Sequence, residues 1–408
     1  MITVRQKYPP SKPVDIPAAV KTELARLSSR LKPGMRIAVG TGSRGISNIL
    51  PIVASSVEFL KAAGTRPFLI PAMGSHGGAT PEGQIEVLAS YGITEAIAPI
   101  ESSMETVVLG RTPDGLDVIF SAEAKKADGI LIINRIKPHT DFSSDSLGSG
   151  LQKMLVVGLG KRNGAANYHR GAIHHGFERV LRSMAPVVLK SAPILGGLGI
   201  VEDQFHQTVR IGFAAADEIE KREAELFAEA KALMPKLPFD EIDLLIIDRI
   251  GKNISGSGMD PNIIGREIFG YSSSFQEQRH LKPSIRRILV RDLTRESHGN
   301  AIGIGLADFT TARLVRAMDH KKTYISALTS LSVNGPKIPI WFDTDREAIT
   351  QALNSLATAN IMEAKVMRIA DTLSLSRLQI SEAFGKADHL EVIDAASDMH
   401  FDAAGTLL

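Results

Sequence analysis

Apolar and polar positions alternate along the first two-thirds of the chain in a way that predicts strands and helices in turn. Short apolar runs are followed by glycine-rich turns and then by longer segments with helical spacing. The predicted strands cover residues 35–39, 67–70 and 129–134, a predicted hairpin covers 106–109 and 116–120, and helices are predicted over 46–63 and from Pro81 onward, with Thr80 as N-cap. This repeated order is typical of a parallel α/β sheet, which binds its ligands at the carboxyl ends of the strands.

A second α/β unit is predicted after a proline-rich break. A charged amphipathic helix is expected over residues 217–234, and Pro235-Lys236-Leu237-Pro238 ends it. Later apolar runs predict strands over 243–248, 285–290, 338–342 and 390–393. We therefore predict two α/β domains with parallel-type sheets, residues 1–236 and residues 237–408.

Composition and charge exclude several classes of function. The 408 residues are 44% hydrophobic and 23% charged, and the net charge of +2 gives no reason to expect binding to nucleic acid or to an anionic membrane. The absence of cysteine excludes disulfides, iron–sulfur clusters, thiol catalysis and cysteine-based zinc sites. The amino-terminal segment lacks the apolar core of a signal peptide, and no apolar run reaches membrane-spanning length, so a cytoplasmic enzyme is expected.

Two histidines stand just beyond predicted strands. His76 lies in a glycine loop, and His139 follows a proline. Parallel topology would bring these loops to one rim of the sheet, where two imidazoles that titrate near neutral pH could act as an acid/base pair. The alternative is that each histidine only hydrogen-bonds its own loop. A third histidine, His169, is expected just before a helix that runs from Arg170 to about Met184.

Glycine loops and one lysine are further candidates for a binding site. The spacing Gly40-x-Gly42-x-x-Gly45 and the stretch Gly148-Ser149-Gly150 could cradle a phosphate, or could serve backbone geometry alone. The strand after the first loop ends without the acidic residue of an ordinary NAD site. Lys153 stands between apolar residues, which indicates either a buried, paired or covalently used amine or a side chain that reaches the surface.

The order and approximate spacing of these residues resemble the nickel-dependent lactate racemase family. The set is Arg44, His76, Lys137-Pro138-His139, Ser149-Gly150-x-x-Lys153 and His169. The resemblance covers roughly residues 10–235. It implies two α/β domains with the active site in a cleft between them, the first domain binding the cofactor and the second closing the cleft.

The resemblance also implies a cofactor and a role for each residue. The cofactor of the family is a nickel-pincer nucleotide (nickel pyridinium-3,5-bisthiocarboxylic acid mononucleotide), made by cofactor-biosynthesis proteins. The implied roles are acid/base catalysis for His76 and His139, covalent attachment of the cofactor for Lys153, nickel ligation for His169, an active-site arginine in Arg44, and contact with the nucleotide phosphate or substrate for Gly40, Thr41 and Gly42. Because the chain has no cysteine, the sulfur ligands of nickel would come from the cofactor.

The implied activity is racemisation or epimerisation of a 2-hydroxy acid. One histidine would take the hydroxyl proton while the carbon-bound hydrogen passes to the cofactor as hydride, and hydride would return to either face of the keto acid. The sequence departs from the family pattern in a longer stretch between His139 and Lys153 and in a different loop, residues 251–262, in the second domain. Lys252 in that loop is a candidate cofactor-binding lysine or a solvated turn residue.

These departures leave the substrate open between lactate and a larger hydroxy acid, a sugar acid or a polyol. Two other functions also stay open. The chain could be an alcohol or hydroxy-acid oxidoreductase on the same scaffold, or a nucleotide-binding homologue without catalysis. The sequence does not predict the oligomeric state.

Overall fold

The chain forms two compact units in a computed structural model that describes residues 1–42, 45–140, 142–267, 282–358 and 360–408. Ser11–Met234 is the central unit, and Met1–Pro10 together with Pro235–Leu408 is the terminal unit. The predicted division after residue 236 falls close to the second junction. The first ten residues, however, lie in the terminal unit, because the strand Ile2–Gln6 (β1) pairs antiparallel with strands formed by residues 377–380 and 390–394.

The central unit is an α/β sheet with an added hairpin. Its strands are β2 (Arg36–Thr41), β3 (Arg66–Pro71), β4 (Thr106–Arg111), β5 (Asp117–Ser121), β6 (Gly129–Arg135), β7 (Ile194–Glu202) and β8 (Thr208–Ala215). Its helices are α1 (Ile16–Leu24), α2 (Ile49–Ala62), α3 (Pro81–Ser90), α4 (Ala122–Lys125), α5 (Leu151–Lys153), α6 (Lys161–His175), α7 (Phe177–Ser191) and α8 (Ile219–Leu233). The sheet order is β3-β2-β6-β7-β8, parallel except for β8, and β4 pairs with β5.

Buried apolar strands hold this sheet in the core. Residues 37–39 of β2 and 130–133 of β6 are buried on both faces, as expected of central parallel strands covered by helices. The helix α7 buries one apolar stripe, which includes Val180, Met184 and Val188. Each such side chain contributes roughly 1.5–3 kcal/mol through burial.

The strand β7 was not predicted, because glycine is unfavourable in strands. It contains Gly196, Gly197 and Gly199. A Cβ atom on Gly197 would lie 2.7 Å from Cγ1 of Ile132, and one on Gly199 would lie 2.4 Å from Cδ1 of Ile136. The glycines are therefore explained by the close packing of neighbouring side chains over this strand.

The helix predicted to follow His169 is corrected by the structure. Residues 161–175 already form α6, so His169 lies inside a helix rather than before one. Gly176 has a φ of 87° and ends α6, and α7 begins at the next residue. The prediction failed because α6 has few apolar residues and therefore shows no clear helical periodicity.

The terminal unit is a second α/β sheet. Its strands are β1, β9 (Glu241–Ile250), β10 (Ser284–Leu293), β11 (Phe309–Thr311), β12 (Ile340–Phe342), β13 (Val366–Ile369), β14 (Arg377–Ile380) and β15 (Leu390–Asp394), and its helices are α9 (Pro261–Ile264), α10 (Ala312–Ala317), α11 (His320–Thr329) and α12 (Asp345–Asn354). The sheet order is β12-β11-β10-β9-β13-β14-β1-β15, parallel as far as β13 and antiparallel beyond it.

The predicted fold class, two α/β domains with parallel-type sheets, is confirmed. In the ranges that the structure describes, no helix has both the length and the apolar character needed to cross a membrane.

Candidate active site

The candidate residues of the central unit cluster at the carboxyl ends of three adjacent strands. Gly40 and Thr41 end β2, His76 follows β3, and His139 follows β6. Because β3, β2 and β6 are parallel neighbours, the loops that leave them emerge at the same edge of the sheet. Arg44 belongs to the same loop region in sequence but lies outside the described residues.

His139 and Lys153 are in direct contact. Nζ of Lys153 and Nε2 of His139 lie within hydrogen-bonding contact, and only 5% of His139 is exposed. The stretch of chain between them is closed at its base by two hydrogen bonds, from Lys137 N to Ser149 O (3.0 Å) and from Ser149 N to Lys137 O (2.8 Å). The longer connection seen in the sequence therefore forms a closed loop and does not separate the imidazole from the amine.

A row of aromatic rings links His139 to His169. The imidazole of His139 stacks on Phe142 with the ring centroids 4.7 Å apart and the planes 18° apart. Phe142 stacks on Phe177 at 6.4 Å, and Phe177 meets the ring of His169 edge-on at 6.3 Å. The two phenylalanines were not predicted as site residues. They hold the imidazole rings through apolar contacts, which carry no recognisable motif in the sequence.

The hydrogen bond made by His169 determines which of its nitrogens can bind a metal. Nδ1 lies 2.7 Å from the carbonyl oxygen of Ala165, one turn earlier in α6. A carbonyl oxygen can only accept, so Nδ1 carries the proton and donates it. In the neutral imidazole Nε2 is then the unprotonated nitrogen, which is the form that coordinates metals, and the backbone bond fixes the orientation of the ring.

The loop that carries His76 packs against the helical segment that follows Lys153. That segment is a π-helical turn, Met154–Gly158, closed by a 2.8 Å bond from Leu159 N to Met154 O. Gly74 N donates to Gly158 O at 3.0 Å, and a Cβ on Gly74 would lie 3.2 Å from the carbonyl oxygen of Val157. The π-turn was not predicted from the sequence, although such turns often occur at functional sites.

The glycines of the stretch Gly148-Ser149-Gly150 are explained by close packing, and the phosphate cradle predicted for this stretch stays a prediction. A Cβ on Gly148 would lie 2.2 Å from the carbonyl oxygen of Lys137, and one on Gly150 would lie 1.9 Å from Oε1 of Glu223. Protein atoms therefore already fill the space beside both glycines. The glycines allow the close approach of Lys137 and of Glu223 to the helix that carries Lys153.

Glu223 is a buried carboxyl group that sequence reasoning missed. It lies on α8, is 0% exposed, and accepts a 3.0 Å hydrogen bond from the backbone N–H of Gln152, next to Lys153. Burial raises the pKa of Glu223 to about 7, while hydrogen bonds to the carboxyl group oppose the rise. The group was missed because its burial depends on α8 packing over Gly150, a contact between residues far apart in the sequence.

The raised pKa predicts a pH-dependent stability that Glu223→Gln should remove. An unfolded glutamate titrates near pH 4.5, so between about pH 4.5 and 7 the folded chain binds a proton that the unfolded chain has lost. Stability should therefore fall as pH rises through this window, by up to about 3 kcal/mol. Urea unfolding of both proteins from pH 4.5 to 8 should show the variant gaining on the wild type as pH rises. Parallel pH curves would contradict this assignment.

Gly42 borders the same helical segment, and Thr41 is its neighbour in the chain. A Cβ on Gly42 would lie 2.9 Å from Oδ1 of Asn134 and 2.9 Å from Cε of Met154, so a larger residue there would displace both side chains. Asn134 in turn donates to the carbonyl oxygen of Gly150 at 2.9 Å. Oγ1 of Thr41 is buried and has no hydrogen-bond partner among the described residues. A buried hydroxyl of this kind is unfavourable unless a bound molecule completes its hydrogen bonding.

Lys252 belongs to the terminal unit and bonds to its own loop and to Ser297. Its Nζ donates to the carbonyl oxygen of Gly256 at 2.7 Å, and its backbone N–H donates to Oγ of Ser297 at 2.8 Å. These bonds are those of an ordered turn. The predicted cofactor contact of Lys252 stays a prediction.

Within the described part of the chain, no group of three or more His, Asp or Glu side chains is arranged to hold a metal ion. A metal at His169 would therefore receive fewer than three ligands of these types from this part of the chain. Its other ligands would have to come from a bound molecule, which agrees with the donor set expected of a pincer cofactor.

Comparison with known proteins shows what part of the chain is similar to. Residues 11–179 match the family model of the lactate racemase N-terminal domain. The lactate racemase apoprotein of Thermoanaerobacterium thermosaccharolyticum has a similar structure, with a TM-score of 0.52 and 14% identity over 91% of this chain and 93% of that one. A structural-genomics protein of Thermotoga maritima matches with a TM-score of 0.52 and 12% identity over 79% of this chain and 84% of that one. No curated protein sequence matches significantly.

At these identities the two structures establish a shared fold, and the family model establishes the kind of domain. The resemblance to the lactate racemase family is thus confirmed over residues 11–179, which match the model of that family's N-terminal domain.

Proposed function

We propose that this chain is a racemase or epimerase of a 2-hydroxy acid that depends on a nickel-pincer nucleotide. The observation that supports it best is the contact between the amine of Lys153 and the imidazole of His139. It brings the lysine implied to hold the cofactor beside a histidine implied to move a proton. In a racemase of this kind the cofactor and the acid/base histidine act on the same carbon and hydroxyl group of the substrate. The lysine that holds the cofactor and the histidine must therefore lie close together.

The residues present fit the cofactor. Lys153 would hold it covalently, His169 would offer Nε2 to nickel, and Thr41 has a buried hydroxyl that a bound group could engage. When bound, the nickel-pincer nucleotide would reversibly accept the hydrogen of the substrate carbon. We propose that cofactor-biosynthesis proteins deliver it.

Two histidines of the chain would remove and return the hydroxyl proton of the substrate. His139 is buried and stacks on Phe142, so water is kept away from a proton carried by its imidazole. Nε2 of His139 faces Nζ of Lys153, so a group held on this lysine would lie beside the nitrogen that is proposed to act as the base. His76 would perform the same exchange on substrate of the opposite hand, because the two enantiomers present their hydroxyl groups differently.

Isotope retention separates this proposal from its alternatives. We expect a single enantiomer of a 2-hydroxy acid, deuterated at C2, to racemise with the cofactor-loaded protein while keeping its deuterium. Polarimetry and mass spectrometry of the product pool would follow both properties across lactate, longer hydroxy acids, sugar acids and polyols. Transfer of deuterium to an added acceptor, with accumulation of the keto acid, would indicate an oxidoreductase. Unchanged optical purity across the whole panel would favour a non-catalytic homologue.

A further inference from the structure

A fully buried lysine lies outside the predicted site but close to it. Lys161 is the first residue of α6, the helix that carries His169, and is 0% exposed. Its Nζ donates to the carbonyl oxygen of Pro71 at 2.7 Å and to Oε1 of Gln84 at 3.2 Å. Among the residues described, no carboxylate forms an ion pair with this amine.

Gln84 connects this lysine to the loop that carries His76. It lies on α3 and is 0% exposed. Its Nε2 donates to the carbonyl oxygen of Gly74 at 2.9 Å and makes a longer contact, 3.4 Å, with that of His76. Lys161, Gln84 and the backbone of this loop therefore form a continuous chain of hydrogen bonds, with each donor facing an acceptor.

Two features of Lys161 are unfavourable for stability. Burial lowers the pKa of its amine to about 8, so at neutral pH the protein holds a mostly charged ammonium in its core without a carboxylate. Its backbone is left-handed, with a φ of 54°, a conformation that is unfavourable for a residue with a side chain. An apolar side chain would fill the same space without the free-energy cost of burying an ammonium group. This indicates that the amine has a role beyond packing.

We propose that Lys161 and Gln84 are positioning residues that hold the His76 loop in place for proton transfer. The inference rests on the proposed function, because it gives the role of His76 a structural support. The ammonium fixes which way the Gln84 amide points, since Oε1 must face the cation. Nε2 then faces the loop carbonyl groups and ties residues 74–76 to α3. Neither residue need touch the substrate.

Two variants separate positioning from simple core filling. Gln84→Glu keeps an oxygen for Lys161 and adds an ion pair, so the core stays filled and paired. It replaces the donor that holds Gly74, however, and places a carboxylate oxygen against the loop carbonyl groups. Lys161→Met keeps the volume and removes the cation that orients Gln84. Lys190→Met, at an exposed position of α7, is the matched control.

Hydrogen exchange in the cofactor-free chain is the first measurement. We expect amides of residues 74–80 to exchange about tenfold faster or more in both variants, with the rest of the central unit unchanged and the control like the wild type. Unchanged exchange in this loop would overturn the inference. So would an acceleration spread evenly over the central unit, because that is the result of core destabilisation alone.

The second measurement uses the cofactor-loaded protein and single enantiomers. Gln84→Glu should slow the reaction of the enantiomer served by His76 about tenfold or more, and leave the one served by His139 within about twofold. Equal slowing of both enantiomers would overturn the inference. If the wild type responds to no hydroxy acid at all, the proposed function fails, and the exchange measurement alone decides whether Lys161 and Gln84 hold the loop.

Discussion

His76→Ala and His139→Ala should each abolish racemisation in the cofactor-loaded protein, yet each should still respond to one enantiomer. Loss of an acid/base side chain costs roughly 10²–10⁴-fold in rate. Each histidine is proposed to remove the proton from one enantiomer, so each variant should still transfer hydrogen from the enantiomer that its remaining histidine serves. Rapid mixing with each enantiomer, followed by the visible absorption of the cofactor, should show His76→Ala reacting with one hand and His139→Ala with the other.

The control is His175→Ala, an exposed histidine in the last turn of α6, the helix that carries His169. We expect it to react with both enantiomers at the wild-type rate. If His76→Ala and His139→Ala failed with the same enantiomer, the assignment of one histidine to each hand would be wrong. If either variant racemised at more than about a tenth of the wild-type rate, that histidine would not be an acid/base catalyst.

Gly150→Ala should destabilise the protein strongly. The new Cβ would lie 1.9 Å from Oε1 of Glu223, and this carboxyl group is fully buried. Relief of the clash would require the buried Glu223 side chain to turn away from its hydrogen bond with Gln152 N, or α8 to move, at a cost of about 3 kcal/mol. Chemical denaturation should show this loss at neutral pH. Ser149→Ala, which adds no atom at the neighbouring position, should stay close to the wild type.

A double-mutant cycle identifies the clashing partner of Gly150. In a Glu223→Ala background the carboxyl group is gone, so the added methyl group has space. The cost of Gly150→Ala should then fall to about 1 kcal/mol or less. An undiminished cost in that background would show that the glycine is required for a reason other than its approach to Glu223.

The parts of the fold that could be predicted from the sequence carry their signal locally. The apolar runs of β2 and β6 indicate buried strands by themselves. Thr80 caps α3 as predicted, accepting a 3.1 Å bond from Gly83 N. The hairpin of β4 and β5 follows from two apolar runs around a turn. In each case the residues that determine the structure lie within a few positions of one another.

The parts that could not be predicted depend on distant contacts. The strand β7 contains glycines because side chains such as Ile132 and Ile136 pack over it. The strand β1 belongs to the terminal unit because it pairs with β14, a strand near the other end of the chain. Propensity favours neither arrangement, so tertiary packing decides both.

The candidate site divides in the same way. The order of His76, His139, Lys153 and His169 indicated the family, and the comparison confirms it for the domain that contains all four. What holds these residues was not visible in the sequence. Phe142 and Phe177 act through apolar contacts and carry no motif. The roles of the four residues stay proposals.

The most direct test of the central claim is the intact mass and nickel content of the chain produced together with cofactor-synthesis enzymes. The proposed function predicts a stoichiometric mass increase located at Lys153 and about one nickel per chain, with both lost in Lys153→Arg. Lys153→Arg should otherwise be folded, because it keeps a hydrogen-bond donor on a long side chain beside His139. An unmodified Lys153 in nickel-free protein, from cells in which a known nickel-pincer enzyme is loaded, would contradict the claim.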